Sequence, residues 1–499
     1  MKHSRIAIAL GLLCTGTGNA AMFHSPEGRG QVLLFPYYTV NDNVQTLVSV
    51  VNSTGHGKAI AVRFREGSNS REVLGFHLYL GPYDVWTAAL FATGDAGPAH
   101  LVTADQSCTV PPIRNSTSLP TLANGSRYVA FRNYLYTGSE NDSGSNDLAR
   151  TREGHFELIE MGEVLDTTRQ TLRAITPGAT GIPYDCGQVV NAWTTALGAG
   201  PAYWALGNPD TDIAVPGGGL YGYASLVRVL DGTMIAYPAD AIGDFSSVRQ
   251  HRAPLSPIPN LGTGVSAHAD GMVEAFVFPG DSDAYLRFPP ERAIDAVSAV
   301  LTADAVYNDF VTGAQIGAAS EWVVSFPTKH FYTDFSNGPA IAPFEEIYPT
   351  IGNLGVAPVH THVEYWDRDG QVHDCREGSP IWCPGLPPPM PDPLVTLNWA
   401  VNVISFNQAD TGPSRILGSR LSHKAPINTA EGSVRLSLHR PDRGIFHQLR
   451  ADVTANRRMQ GLPVLGFWAV NYTNGSVTPG ILANYAGATP HQVTRSVSP

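Results

Sequence analysis

The residues best suited to bind a metal ion lie between positions 360 and 373. His360 and His362 are two residues apart in an apolar run, so a β-strand would place both imidazoles on one face. Asp367 follows closely, and His373 lies beyond a turn-forming dipeptide. Imidazoles in this arrangement could hold zinc or copper. The alternative is a solvent-facing strand in a chain with 16 histidines, and we favour it and predict no metal ligands.

Carboxylates two residues apart offer the hard oxygen ligands that calcium prefers. They occur at three sites, which are Asp367 with Asp369, Asp210 with Asp212, and Asp281 with Asp283. None of these pairs belongs to a complete EF-hand loop, and short acidic turns are common at the ends of strands. No cation site or cofactor is therefore predicted.

Hydrolytic chemistry has weak support in the sequence. Gly280-Asp281-Ser282 resembles the nucleophile block of some lipases, but it lies mid-chain within a β pattern. Neither a GxSxG elbow nor an HExxH motif is present. No catalytic residue is predicted. Two glycosidase carboxylates would leave no motif in one sequence, so a polysaccharide-acting enzyme stays an alternative.

Four cysteines follow Cys14 in the sequence: Cys108, Cys186, Cys375 and Cys383. An even number of cysteines in an exported chain indicates disulfides. The two closest in sequence flank a Gly- and Pro-containing loop, which predicts one disulfide there and leaves the other two to pair. Structural zinc is the rival interpretation, but it would favour CxxC pairs, which are absent.

Two aromatic clusters, at residues 35–38 and 331–332, could stack on sugars. Such residues more often fill the core of a β-sandwich or pack at a domain junction. No sugar contact is assigned to them.

The elements that carry these residues are mainly strands. Residues 60–65, 74–78 and 434–439 alternate bulky apolar with small or charged side chains, the period of a half-buried strand. The chain has 50 glycines and 38 prolines, and only 15% of its residues are charged. Recurrent turns of this kind predict an all-β protein. Three dipeptides predict tight hairpin turns, and they are Asp231-Gly232, Asp369-Gly370 and Asn474-Gly475.

Two helices interrupt the strand pattern. Asp185 and Gln188 have capping-box spacing before a helix at 189–197. Pro289-Pro290 starts the second, which has apolar residues at three- and four-residue steps from 293 to 301.

Residues 1–21 have the layout of a cleaved signal peptide. Lys2 and Arg5 precede an apolar run at 6–13, and small residues follow it. This predicts export, with a 22–250 N-terminal β-sandwich domain and a 251–499 second β-sandwich region that contains a Pro-rich loop at 384–393. A lipid-modified Cys14 is the alternative, but the bulky Leu13 does not suit a lipobox.

Charge limits the partners of the chain. The net charge of −11 becomes −13 when Lys2 and Arg5 leave with the leader, and only Lys58, Lys329 and Lys424 remain as lysines. An acidic, lysine-poor surface argues against nucleic acid and anionic lipid. No transmembrane segment is predicted after the leader.

Several segments together resemble a family of uncharacterised secreted or cell-surface proteins of Gram-negative bacteria. They are QVLLFPYYT (31–39), VNST (51–54), RFREG (63–67), NSREVL (69–74), PYDVWT (82–87), FELIEMG (156–162), FPTK (326–329), YWDR (365–368) and GLPVLGF (461–467). The resemblance covers most of the chain, and its motifs are structural. It implies an extracytoplasmic location and an immunoglobulin-like architecture, and it supplies no catalytic or binding residues.

These observations predict an all-β fold of tandem immunoglobulin-like antiparallel β-sandwiches with a few short helices. We expect an exported structural or adhesion module without catalytic activity. The sequence does not identify its partner, for which a cell-surface protein and a carbohydrate are the candidates. A polysaccharide-acting enzyme and a self-assembling surface subunit are the alternatives.

Overall fold

The chain is described by a computed structural model, which covers residues 21–195, 202–266, 268, 270–278, 283–349, 355–373, 394–407, 412–478 and 481–499. The predicted signal peptide, apart from residue 21, and the Pro-rich loop at 384–393 lie outside the described residues. So do Cys375, Cys383 and the 280–282 segment. About 43% of the protein is strand and 15% is helix, so the predicted β-rich fold is confirmed.

The strands are, in chain order, β1 Met22–His24, β2 Val32–Thr39, β3 Val44–Asn52, β4 Gly57–Glu66, β5 Glu72–Leu80, β6 Val85–Phe91, β7 His100–Val102, β8 Cys108–Val110, β9 Tyr128–Ala130, β10 Glu153–Val164, β11 Ile213–Ala214, β12 Leu220–Arg228, β13 Thr233–Pro238, β14 Asp240–Gly243, β15 Val273–Val277, β16 Ala284–Phe288, β17 Thr302–Ala303, β18 Ala305–Val311, β19 Ala318–Ser325, β20 Val359–Asp367, β21 Val372–His373, β22 Leu394–Leu397, β23 Val401–Ser405, β24 Ser422–Lys424, β25 Glu431–Ser437, β26 Arg458–Gln460, β27 Leu462–Pro463, β28 Leu465–Thr478, β29 Ile481–Pro490, β30 Gln492–Thr494 and β31 Ser496–Ser498. The α-helices are α1 Thr171–Ile175, α2 Cys186–Trp193, α3 Ala293–Leu301 and α4 His330–Thr333. Across the described residues, no helix is long and apolar enough to cross a membrane.

Four larger sheets organise these strands. Sheet 1 has the order β16-β15-β1-β14-β2-β10-β4-β5-β8, with β11 beside β10, and sheet 2 has the order β13-β12-β3-β6-β7-β9. Sheet 3 runs β21-β20-β25-β18-β30 with β22 beside β20, and sheet 4 runs β24-β23-β19-β28-β29. Neighbouring strands are antiparallel except for β1 with β15 and β23 with β24.

Three hydrophobic cores join the sheets. The inner faces of sheets 1 and 2 form one core with Phe35 and Trp86, to which Val323 and Phe467 of sheet 4 also belong. Sheets 3 and 4 share a second core with α3 and with Met22 of sheet 1. A third core lies where α1 and α2 cover the other face of sheet 1.

The sheets do not follow the predicted immunoglobulin pattern closely. An immunoglobulin constant-type domain pairs sheets of four and three strands, whereas sheet 1 has ten strands and sheet 2 has six. The immunoglobulin-like detail is therefore not confirmed. Strands β15 and β16 extend sheet 1 beyond residue 250, and the domain boundary predicted there stays a prediction.

The predicted helices and all three predicted hairpins are present. Asp185 caps α2 by accepting a hydrogen bond from the Gln188 backbone, but α2 covers Cys186–Trp193, so the predicted bounds of 189–197 are wrong. Helix α3 follows the prolines as expected. Gly232 and Gly370 both have positive φ in the turns that follow β12 and β20. The third hairpin, between β28 and β29, is also present, but the turn position predicted at Asn474-Gly475 is wrong, because Thr478 still pairs with Ile481.

Candidate binding face on sheet 2

The outer face of sheet 2 is almost free of charge. Arg228, at the end of β12, is the sole Asp, Glu, Lys or Arg in the six strands of this sheet. Its guanidinium is held by Asp42 at 2.6 Å and by Asp231 at 3.2 Å. A sheet face in contact with water usually alternates polar, often charged, residues with core residues. The missing charge therefore marks this face as a candidate contact surface.

Two tyrosines project from this face on β12. Tyr221 is 38% exposed and Tyr223 is 50% exposed, and residues two apart on a strand share one side. Gly222 between them points inward, where a Cβ would lie 2.6 Å from the Ser49 carbonyl oxygen and 2.9 Å from the Phe35 ring. Glycine thus lets β12 approach the core closely enough to hold both tyrosines in place.

Small side chains form the middle of the face. Tyr223 pairs with Ser49, and Ser49 pairs with Thr87 on the next strand. Leu47 on β3 pairs with Ser225 on β12 and, on its other side, with Ala89 on β6. Together these residues line a shallow depression of about 440 Å³.

The hydroxyl groups around this depression are available to a ligand. Within the described parts of the chain, the hydroxyls of Ser49, Thr87, Ser225, Tyr221 and Tyr223 have no intramolecular hydrogen-bond partner. Each can both donate and accept. The face therefore offers neutral hydrogen-bonding groups beside aromatic rings.

A second aromatic group lies on the same sheet, toward its β9 edge. Phe91, His100 and Tyr128 lie on β6, β7 and β9 with ring centroids 5.1 to 5.7 Å apart. Burial lowers the pKa of His100, so its ring is neutral near pH 7. Across the sheet, the strand of Phe91 lies two strand spacings from β12, or about 10 Å, and the strand of Tyr128 lies four spacings away, or about 19 Å.

The histidines considered as metal ligands occupy separate positions on β20 and β21. His360 is exposed and its ring lies 3.2 Å from the Thr396 hydroxyl, whereas His362 is fully buried. His373 pairs with Tyr365. Tyr365 lies three positions after His362 on β20, which is about 10 Å along the strand. No cluster of three or more His, Cys, Asp or Glu side chains suited to a metal ion occurs in the part of the chain that is described.

The acidic pairs have structural roles where they are described. Asp212 accepts hydrogen bonds from Thr167, Thr168, Arg169 and Thr171, and these bonds lower the pKa of its carboxyl group. The carboxylate of Asp367 accepts from the backbones of Asp369 and Gln371 and so shapes the hairpin turn. Asp281 lies outside the described residues.

The predicted aromatic clusters belong to the cores. Phe35, Tyr37 and Tyr38 are at most 1% exposed. Tyr332 is also buried and donates its hydroxyl to Asp295 at 2.9 Å, while Phe331 packs against the second core. Neither cluster offers an exposed ring pair to a sugar.

Cys108 and Cys186 are joined by a disulfide, which attaches α2 to the edge strand β8 of sheet 1. This is the pairing that the even cysteine count predicts for these two residues. It lies on the side of sheet 1 covered by α1 and α2, away from the face of sheet 2.

The binding face was not identified from the sequence. The available signal was the lack of charge at alternate positions of β3, β6 and β12, where Leu47, Thr87 and Tyr223 point outward. Each strand alone resembles an ordinary buried strand. The feature becomes visible when the pairing order makes these strands neighbours.

No protein-family model, curated protein or solved structure matches this chain. The resemblance to secreted Gram-negative proteins therefore stays a prediction. The functional argument depends on the chemistry of the face itself.

Proposed function

We propose that this protein is an exported, extracytoplasmic β-sandwich module that binds an uncharged polysaccharide on the outer face of sheet 2. The observation that carries the proposal is the depression at the centre of this face, whose hydroxyls have no partner among the described residues and which is flanked by Tyr223. The signal-like segment at residues 1–21 supports the extracytoplasmic location.

The chemistry of the face favours a neutral glycan. A sugar presents apolar C–H faces to aromatic rings and hydroxyl groups to Ser49, Thr87 and Ser225. A nucleic acid or other polyanion would require several cations. Arg228 is the only cation in these strands, and its guanidinium already pairs with two carboxylates.

Affinity electrophoresis through gels that contain a neutral glucan, mannan or galactan tests the proposal. We expect at least one gel to retard the protein, and a gel with an acidic polysaccharide to have no effect. The double substitution Tyr221→Ala, Tyr223→Ala removes both rings and is expected to weaken binding by about 10-fold or more.

Tyr285→Ala is the matched control, because Tyr285 is also 50% exposed on a strand but lies in sheet 1. Its retardation should equal that of the wild type. Migration unaffected by every neutral polysaccharide would contradict the proposal. A concentration-dependent dimer that the double substitution abolishes would instead assign the face to a second copy of the chain.

A further inference from the structure

A second cavity, of about 410 Å³, lies where strands of sheets 1 and 2 meet strands of sheets 3 and 4. Tyr237 of β13 and Phe467 of β28 line it and stack with ring centroids 4.5 Å apart. Pro36, Val306 and Val493 supply further apolar wall. Pockets of this size and composition suit small ligands with a large apolar part.

Arg495 is the one lysine or arginine in the lining of this cavity. Among the described residues, none accepts a hydrogen bond from its guanidinium, and no carboxylate oxygen lies within 4.0 Å of its nitrogens. Burial lowers the pKa of Arg495, and the negative charges of Asp240 and Asp304 oppose this shift. A guanidinium has five N–H donors, so this group has unused binding capacity.

The charges of Asp240 and Asp304 act on Arg495, but the contacts of both carboxylates are with other side chains. Asp240 lies 2.9 Å from the His24 ring nitrogen, and Asp304 accepts a hydrogen bond from the Ser496 hydroxyl at 2.6 Å. Another polar ring of the lining, His491, is bonded to the Val323 carbonyl. The lining has one further carboxylate, Glu27, which accepts a hydrogen bond from the Ser25 hydroxyl at 3.4 Å. Arg495 is therefore the lining group with a positive charge to offer an anion from outside.

We propose that this cavity binds a medium-chain carboxylic acid, whose carboxylate pairs with Arg495 and whose apolar body lies against Tyr237 and Phe467. A planar guanidinium matches a carboxylate with two parallel hydrogen bonds. The apolar wall accepts the chain by removing its surface from water. The site is separate from the face on sheet 2 and does not depend on glycan binding.

Isothermal titration calorimetry of the full chain with decanoate and with decanol tests the proposal. The two probes share an apolar body and differ in the charged group. We expect decanoate to bind more tightly than decanol. Arg495→Met keeps the apolar stem and is expected to weaken decanoate binding about 10- to 100-fold while leaving decanol unchanged.

Arg368→Met is the control, because the Arg368 side chain is 73% exposed and does not line the cavity. Arg495→Lys retains the charge and should bind decanoate more tightly than Arg495→Met, which keeps the test valid if the methionine variant folds poorly. Equal affinities for decanoate and decanol, or no decanoate binding at millimolar concentration, would overturn the proposal.

Discussion

Lys329 is a buried amine whose contacts match its neutral form. It is 2% exposed, and its Nζ donates to the carbonyls of Ala357 at 2.6 Å and Trp399 at 3.1 Å. A neutral amine has two N–H groups, one for each carbonyl. Burial lowers the Lys329 pKa to about 7, and burial also lowers the pKa of nearby His423 to about 4, so His423 stays neutral above pH 5.

The contribution of Lys329 to the free energy of unfolding should therefore rise as the pH increases above 7. The ordinary pKa of 10.5 applies to the unfolded chain, which binds more protons than the folded chain between pH 7 and 10.5. We expect the stability advantage of the wild type over Lys329→Met to grow by about 2 kcal/mol from pH 7.5 to 9.5, measured by urea unfolding. The exposed Lys424→Met should show no such trend, and an advantage independent of pH would contradict the shifted pKa.

For single residues, the sequence predicted which face of a strand a side chain occupies but not whether that side chain is buried. Alternation placed His360 and His362 on one face of a strand, but it could not show that one is exposed and the other fully buried. Burial depends on which distant segments cover the strand. Lys329 likewise has no local signal, because its two carbonyl partners come from residues 28 and 70 positions later.

A disulfide attaches α2, one of the two helices that cover sheet 1, to that sheet. The disulfide between Cys108 and Cys186 spans 78 residues and joins β8 to the first residue of α2. Beneath α2, Val189 packs in the third core with Tyr79 and Met161. The bond therefore holds a short helix that has little stability of its own.

Replacing both cysteines by alanine should lower the free energy of unfolding by about 2 to 4.5 kcal/mol, because the open chain gains entropy when it unfolds. Thermal unfolding followed by circular dichroism measures the change. Dithiothreitol should lower the melting temperature of the wild type and leave that of the double variant unchanged. A wild type insensitive to the reductant would show that the bond does not contribute to stability.

Elements with a local signal were predicted well. The Asp185 cap and the Pro289-Pro290 start fixed where α2 and α3 begin, because capping and proline act within one turn. The position of the turn between β28 and β29 was wrong for the opposite reason. The two strands pair up to Asn474, and after a shift in register Thr478 pairs with Ile481, which outweighs the turn preference of Asn474-Gly475.

In the whole molecule, a polar contact ties the part before residue 250 to the part after it. Asp334, which is 4% exposed, lies 2.8 Å from the Arg71 guanidinium and accepts a hydrogen bond from Asn69 at 2.9 Å. Arg150 and Asp142 continue this network on the side of the first part. A buried charge left without its partner is strongly destabilising.

Asp334→Ala should therefore lower the free energy of unfolding by roughly 3 kcal/mol, because it removes the closest charged partner of Arg71 and leaves only Asp142, at 4.0 Å, in a largely buried position. Urea unfolding measures the loss. Asp442→Ala is the control, since that side chain is 64% exposed and its pairing with Arg440 should contribute little. Equal stability of the two variants would mean that the Asp334 contact does not hold the parts together.

The face of sheet 2 also belongs to this scale. Its strands come from residues 44 to 238, and only their order brings Tyr223, Ser49 and Thr87 side by side. A single sequence shows the periodicity of each strand and not which strands are neighbours. The sequence therefore predicted the β-rich class but could not predict the candidate site.

Strand β1 determines when sheet 1 can be completed during folding. It lies between β14 and β15, and His24 contacts Asp240, 216 residues later in the chain. Pairing over such separations is slow because a long loop must close first. In a chain made from its N-terminus, residues 22–24 are synthesised early and reach their place only after Val277 is available. β1, the first strand in the described part of the chain, is therefore among the last to form its hydrogen bonds within sheet 1.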